Sequence, residues 1–380
     1  HKKRHFKTLD SLRGLAAIMV IILHTYWSHG LYFYNFFRNG YLFVDLFFIL
    51  SGFVIIYNYY DRILFDKISI FEFMKKRFFR LWPLHVFLLV IFLLLEILKL
   101  ILYTKYNISG TNIPFTDNNV LSFVSNLLFT QSFNLHDDAT FNGPSWSIAV
   151  EFYTYLFFIL TLTLFKTKSL LFKYFSAFVV LISFSFLYFK VGHLSVSQDF
   201  GFVRCLLGFF TGTLLFFIYN FAEKHKCFEI SISVSIWTLL ESILLVSIIW
   251  FLGSKSEVNK LDFIAYFMNF MVIFLFMFSK GIVSKVIGAK VFVFLGKISF
   301  SIYMVHYLFS LVIKNFIKIY FNSDFVIDNW GGYLEIDSFI GNCFLFFYLI
   351  LVIVVANFTF IHIEQRFKYG FSKKSDTYLF

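Results

Sequence analysis

Long apolar runs, separated by short polar and basic segments, follow one another along almost the entire chain. A helix that crosses the hydrocarbon core of a bilayer needs roughly 20 apolar residues. By this measure the sequence predicts ten membrane-spanning helices and an all-α fold, that of a polytopic integral membrane protein. The predicted helices lie at about 9–28, 40–60, 81–103, 143–165, 169–189, 201–222, 231–252, 261–279, 297–319 and 339–362.

Two segments interrupt the succession of apolar runs. Residues 63–80 mix apolar and charged positions, which predicts an amphipathic helix at the membrane interface between helices 2 and 3. Residues 104–142 are polar and are expected to form a long extracytoplasmic loop. With short cytoplasmic tails at 1–8 and 366–380, residues 1–380 are expected to form a single membrane domain.

Composition agrees with this prediction, since 59% of the residues are hydrophobic and only 14% are charged, against about 25% in soluble domains. Most of the 33 Lys and Arg residues fall in alternate segments, those that are cytoplasmic when both termini are inside. The net charge of +11 therefore indicates contact with membrane lipids rather than with nucleic acid. Cys205, Cys227 and Cys343 lack the spacing of a disulfide framework or metal site, so no metal is expected.

Arg13 and His24 lie in the first predicted helix, where polar side chains are costly and usually mark function. Their separation of eleven residues is close to three helical turns, so they share a face and lie about 16 Å apart. Histidine suits general-base catalysis near neutral pH. A structural interpretation also fits, in which a neighbouring helix satisfies the histidine and the arginine reaches the head groups.

Two more sets of charged residues are candidates. Asp45 is expected at a depth similar to that of His24, where a carboxylate could orient an imidazole, or could form a salt bridge with Arg38 or another outer cation. Arg77 and Arg80 are three residues apart on one helix face, and their guanidinium groups suit phosphate. Positive charge that only sets the topology would also explain this pair.

Polar stripes occupy one face of the helices predicted at 143–165 and 297–319. Such stripes could line a site or supply hydrogen bonds between helices. Arg204 is a further buried candidate that nothing in its surroundings separates from a structural residue. The stripe residues are Trp146, Ser147, Glu151, Ser299, Tyr303 and His306.

Five segments, in the same order, resemble motifs of the acyltransferase-3 family of membrane proteins. They are Leu-Asp-Ser-Leu-Arg-Gly with the histidine that follows, Asp-Leu-Phe-Phe-Ile-Leu-Ser-Gly-Phe, Lys-Arg-Phe-Phe-Arg-Leu-Trp-Pro, Trp-Ser-Ile-Ala-Val-Glu-Phe-Tyr and Ser-Phe-Ser-Ile-Tyr-Met-Val-His. The resemblance extends from about residue 8 to 365. Some members add an extracytoplasmic esterase-like domain, and this chain is expected to be the stand-alone form.

The resemblance implies an O-acyltransferase of the bacterial inner membrane. It would move an acyl group, most simply acetyl, from cytoplasmic acetyl-CoA to a carbohydrate or lipid-linked glycan, such as lipopolysaccharide O-antigen or another surface polysaccharide. It implies that His24 is the essential histidine and that Arg77 and Arg80 bind the donor. With these roles, Asp45 would orient His24 and Arg13 would line the donor path, while the stripe residues would contact the reactants.

A transporter or flippase for a lipid-linked glycan or small solute is the alternative, since ten helices with buried charges fit it equally well by composition. Transporters often contain internal repeats and broken helices. No repeat is visible between the two halves of the sequence, and the polar residues concentrate in predicted helices 1–4 and 9. The enzyme is therefore the favoured interpretation.

Overall fold

The computed structural model describes residues 4–107, 113–225 and 232–370, most of which are helical. Parts of the predicted tails, 1–3 and 371–380, and of the predicted long loop, 108–112, lie outside the described residues. The helices are α1 (Lys7–Leu23), α2 (Asn35–Arg38), α3 (Phe43–Leu64), α4 (Ile70–Tyr106), α5 (Val120–Leu127), α6 (Trp146–Leu164), α7 (Ser169–Phe186), α8 (Gly201–Lys224), α9 (Val234–Ser254), α10 (Asp262–Phe276), α11 (Ile282–Ile287), α12 (Lys290–Lys297), α13 (Ser299–Tyr320), α14 (Ser338–Thr359) and α15 (Gln365–Gly370). Strands β1 (Phe325–Val326) and β2 (Tyr333–Leu334) pair antiparallel.

Eight of the described helices are long and apolar enough to cross a membrane, namely α3, α4, α6, α7, α8, α9, α13 and α14. Helix α1, with 17 residues, and helix α10, with 15, coincide with the two other predicted passes but are shorter. The prediction of an all-α polytopic membrane protein is thus confirmed. The number of ten passes, and their orientation, stay predictions.

The structure corrects the predicted interfacial helix at 63–80. Helix α3 continues to Leu64, and Ser69 then begins α4 with a capping box. In this box the Glu72 amide donates to the Ser69 hydroxyl (3.1 Å) and the Ser69 amide donates to the Glu72 carboxylate (3.2 Å). Helix α4 runs on without a break to Tyr106. The charges from Glu72 onward, which suggested a separate helix, instead lie in the first turns of one long helix, while Asp66 and Lys67 lie in the turn before it.

Backbone contact between α3 and α8 holds the centre of the bundle together. A Cβ atom on Gly52 would lie 1.9 Å from the carbonyl oxygen of Phe209, and one on Gly212 would lie 2.0 Å from that of Ile49. Small residues permit this approach, and close packing drives helix association in membranes. The two glycines therefore fix α3 against α8, with the opposite side of α3 free to face α1 and α6.

Helices α1 and α13 run side by side in the same direction. Gly14 of α1 faces the backbone of Leu295, just before α13 begins. Ten residues beyond Gly14, the carbonyl of His24, which follows α1, accepts from the hydroxyl of Ser310 in α13. We call the end of the bundle at which α1 begins the N-terminal end, and the opposite one the distal end. His24 therefore lies toward the distal end, and Arg13 lies toward the N-terminal end.

Candidate active site

A cavity of about 120 Å³ lies among α1, α3, α4, α6 and α13. Seven residues predicted from the sequence line it, namely Arg13, Arg77, Arg80, Ser147, Glu151, Ser299 and Tyr303. Four others, His24, Asp45, Trp146 and His306, are not part of its lining. Three guanidinium groups and a single carboxylate give the cavity lining an excess of positive charge.

The three arginines differ in how far their charge is already neutralised. Arg80 forms an ion pair with Glu364, which follows α14, and Arg13 lies 3.6 Å from Asp10 one turn earlier in α1. Arg77 is buried, and among the described residues no carboxylate lies within 4 Å of it. Its Nη2 donates to a tyrosine hydroxyl (3.0 Å), while its Nε has no partner. Arg77 is therefore the cavity arginine most available to an incoming anion.

Glu151 is held by two hydroxyl groups. Ser51 of α3 donates to its Oε1 at 2.5 Å, and Tyr155, one turn further along α6, donates to the same oxygen at 2.6 Å. Hydrogen bonds of this kind stabilise the charged carboxylate. Glu151 thus joins α3 to α6 and sets the shape of the cavity wall, which fits a supporting role better than that of a base.

Tyr303 separates the cavity from a pair of histidines. Its hydroxyl donates to the carbonyl of Pro144 (2.8 Å) and accepts from Ser147 (2.8 Å), so its ring is fixed across the end of the cavity. The Tyr303 and His306 rings lie on the same side of α13, with their centroids 5.7 Å apart. The predicted stripe on this helix therefore serves two regions, with Ser299 and Tyr303 at the cavity and His306 beyond it.

His24 and His306 contact one another, with 3.3 Å between Nδ1 of His24 and Nε2 of His306. Nδ1 of His24 lies 2.9 Å from the Val20 carbonyl, and Nδ1 of His306 lies 2.6 Å from the Tyr303 carbonyl. Because a carbonyl oxygen only accepts, both Nδ1 atoms carry the proton, and the one proton on Nδ1 of His24 is shared between the Val20 carbonyl and Nε2 of His306. Among the described residues nothing bonds to Nε2 of His24, which keeps a free lone pair.

The structure corrects the expectation that Asp45 orients His24. Asp45 is fully buried, and its carboxylate oxygens accept from Nε (2.8 Å) and Nη2 (2.9 Å) of Arg204 in α8. The face of α3 that carries Asp45 meets α8, so the carboxylate is committed to this ion pair. An ion pair was the alternative interpretation, although its partner is Arg204 and not Arg38. Trp146 packs near the same guanidinium, and the Cζ of Arg204 lies 5.6 Å from the centroid of the Trp146 ring.

Several residues that support the site were missed from the sequence. Tyr155 follows Glu151 by four residues, a spacing that could have revealed it. Ser51 lies within the motif Asp-Leu-Phe-Phe-Ile-Leu-Ser-Gly-Phe, and a lone serine in an apolar helix gives no sign of its partner. Glu364 comes directly after the last apolar run, where an acidic residue resembles an ordinary end of a helix.

Comparison with known proteins gives one family over most of the chain. A family model described as an acyltransferase domain matches residues 6–360. The O-acetyltransferase OatA of Staphylococcus aureus (strain NCTC 8325 / PS 47) is 25% identical over 327 residues, which cover 81% of this chain and 51% of OatA. Protein 2 in picA locus of Rhizobium radiobacter is 38% identical over 86 residues, 23% of this chain and 43% of that protein. The chain spans about half the length of the curated relatives it matches, and no solved structure matches it.

Proposed function

Since the chain belongs to the acyltransferase-3 family, we propose that it transfers an acetyl group from acetyl-CoA to a hydroxyl group of a carbohydrate or lipid-linked glycan. OatA, the relative that covers most of the chain, is named an O-acetyltransferase, which supports acetyl as the group transferred. The observation that carries the proposal is the arginine-lined cavity. Tyr303 lies between this cavity and His24, whose Nε2 is free. A positive-inside orientation would make the N-terminal end cytoplasmic, in a bacterial inner membrane.

The donor would enter from the N-terminal end. The nucleotide of coenzyme A carries several phosphate charges, and guanidinium groups bind phosphate through paired hydrogen bonds. Arg77 would meet these phosphates first, because it has no acidic partner to exchange, and Arg80 would follow by releasing Glu364. From Ser299, at the cavity, to His306 is seven residues, or about 10 Å along α13. The flexible pantetheine arm would carry the thioester over this distance toward His24.

The chemistry proposed for His24 is general-base catalysis. Its Nε2 takes the proton of the acceptor hydroxyl while the oxygen attacks the thioester carbonyl carbon. The tetrahedral intermediate then expels the thiolate of coenzyme A, and the imidazolium returns the proton to that sulfur. The products are an acetyl ester and free coenzyme A, and His24 ends as it began.

His306 takes the orienting role that the sequence suggested for Asp45. By accepting from Nδ1 of His24, it favours the form of the imidazole in which Nε2 is unprotonated and can act as a base. The positive charge that develops on His24 during the reaction is then shared with a neutral acceptor nitrogen. His306 is thus proposed as a positioning residue, and not as a contact to the glycan.

Transfer of radiolabelled acetyl tests the proposed function directly. Membranes that contain the full chain are incubated with [14C]acetyl-CoA and with envelope polysaccharide extracted from cells that lack the gene. We expect label in the polysaccharide, as an ester that mild base releases, and none in membranes without the chain. Equal labelling in both membranes would contradict the proposal and would leave the transporter alternative as the next to test.

Arg77→Gln is expected to weaken donor binding. A hydrogen bond to a charged group contributes about 1.5–3 kcal/mol, so the KM for acetyl-CoA should rise about tenfold to a hundredfold with a smaller change in kcat. Initial rates at varied acetyl-CoA concentration measure this. Lys75→Gln is the matched control, because Lys75 is an exposed cation in the same basic segment. An equal rise in KM for both variants would mean that general positive charge, and not the cavity, attracts the donor.

A further inference from the structure

Two cations near His24 have no acidic partner. Arg38, at the end of α2, is 5% exposed, and Lys314 of α13 is half-buried. Among the described residues, no carboxylate lies within 4 Å of either side chain. A buried charge without a counter-ion is costly, so a protein rarely keeps one that has no use.

The Arg38 guanidinium keeps free hydrogen-bond donors. Its Nη2 donates to the carbonyl of Leu23 at 2.5 Å, and its Cζ lies 4.2 Å from the ring centroid of Tyr32. Its Nε is buried and has no partner, and within the described chain no hydrogen bond involves Nη1. Two of its three nitrogens are therefore unused, although one of them is completely enclosed by protein.

Lys314 of α13 lies beside the rings of Tyr26 and Phe325. Its Nζ is 4.9 Å from the centroid of the Tyr26 ring and 5.4 Å from that of Phe325 in β1. Aromatic rings attract cations but do not neutralise them. Lys314 therefore contributes a second positive charge to the surroundings of Tyr26, two residues beyond His24 in the chain.

Neighbouring titratable groups offset only part of this positive charge. The Asp328 carboxylate accepts from the Tyr32 hydroxyl (3.0 Å) and from the Trp330 amide (2.9 Å), and its negative charge attracts Arg38 without contacting it. Burial, together with the Arg38 guanidinium, lowers the pKa of His29 to about 3, so that His29 is neutral at physiological pH. The region therefore keeps a net positive charge, because Arg38 and Lys314, with Lys318 next to Lys314, face one carboxylate.

Position along the bundle separates this pair from the donor site. The donor arginines lie toward the N-terminal end, on the far side of Tyr303 from His24. Arg38 instead contacts the carbonyl of the residue that precedes His24, at the distal end. An anion bound here would reach the base from the side opposite to coenzyme A, which is the side of the acceptor.

We propose that Arg38 and Lys314 form an anion subsite that binds an acidic group of the acceptor glycan, close to the hydroxyl that His24 deprotonates. The inference rests on the proposed function and adds the substrate class, a glycan that carries a carboxylate or a phosphate. A phosphate could also belong to a lipid head group, which presents the same chemistry. The experiment below distinguishes these sources.

The test uses the full chain in proteoliposomes, [14C]acetyl-CoA and envelope polysaccharide from cells that lack the gene. The polysaccharide is supplied untreated, with its carboxylates methyl-esterified, or with its phosphates removed by hydrogen fluoride. For the native chain we expect one of the two treatments to lower transfer about tenfold, through a higher KM for the polysaccharide. The treatment that does so identifies the anion.

Arg38→Gln assigns the effect to the subsite. In this variant, transfer to untreated polysaccharide should fall to the level of the treated sample, and the treatment should then have little further effect. Arg38→Lys should restore part of the preference because it keeps the charge. Lys314→Gln should have a smaller effect, and Lys260→Gln, an exposed lysine whose Nζ lies over the Tyr188 ring, is the matched control. Unchanged affinity for acetyl-CoA in Arg38→Gln shows that the variant is folded.

Three results would overturn the inference. The first is a native chain that acetylates all three polysaccharides equally well. The second is an Arg38→Gln variant that loses activity by the same factor on all of them, since this indicates a structural role. The third is transfer that depends on phosphatidylglycerol in the vesicles but not on the glycan treatment, which assigns the anion to lipid. Absence of transfer by the native chain to every sample would instead contradict the proposed function itself.

Discussion

His24→Ala is expected to lower acetyl transfer by about 10²–10⁴-fold, the range that a general base contributes, while the amount of protein in the membrane stays normal. Alanine removes the free Nε2 but only two contacts of the other ring nitrogen, those to Val20 and His306. His24 is also only half-buried, so its loss leaves a small cavity at most. Initial rates of [14C]acetyl transfer, divided by the amount of protein detected in the membrane, measure the effect.

His85→Gln is the matched control for a histidine outside the site. His85 is buried in α4 and lies 2.9 Å from the carbonyl of Asn126, an interaction that a glutamine amide can replace. This variant should keep most of the native rate. Near-native transfer by His24→Ala would remove His24 from the mechanism, and equal losses in both variants would point to folding in place of catalysis.

Asp45→Ala is expected to reduce the stability of the protein rather than its chemistry. Removing one member of a buried ion pair leaves the other charge unpaired, at a cost of about 3–5 kcal/mol. Arg204 would keep its positive charge in a site that is 2% exposed. We therefore expect a marked loss of folded protein from the membrane and a lower urea midpoint for unfolding in detergent.

The double replacement of Asp45→Leu with Arg204→Met separates stability from catalysis. Because both charges are removed and the volume is kept, the folded amount should recover toward the native level. The activity per folded molecule should recover with it, since the proposed proton transfer involves neither residue. A single Asp45 variant that folds normally but does not transfer acetyl would restore Asp45 to the catalytic machinery.

The helices of this protein could be predicted from the sequence because each depends on a local apolar run. The shared face of Arg77 and Arg80, and that of Ser147 and Glu151, follow from helical periodicity in the same way. The sequence predicted a separate interfacial helix where α3 ends and α4 begins, because charges at the end of a long helix resemble an interfacial segment.

Pairs of residues that are distant in sequence could not be predicted in this way. Asp45 and Arg204 are 159 positions apart, and His24 and His306 are 282 apart. Both pairings depend on which helix faces which, and hydrophobicity alone does not determine this. The sequence therefore revealed the chemical groups of the site, but it assigned the wrong partner to His24.

The Tyr303 ring has a consequence for the ion gradients across the membrane. Its hydroxyl is hydrogen-bonded to Ser147 and Pro144 at the end of the arginine-lined cavity. A membrane enzyme whose reactants come from opposite compartments risks leaking protons and ions down their gradients. With a bulky aromatic side chain between the two entrances, only the slender pantetheine arm and its acetyl group have to pass the Tyr303 ring. The proposed reaction could thus export acetyl groups while the coenzyme pool stays inside and the proton-motive force is preserved.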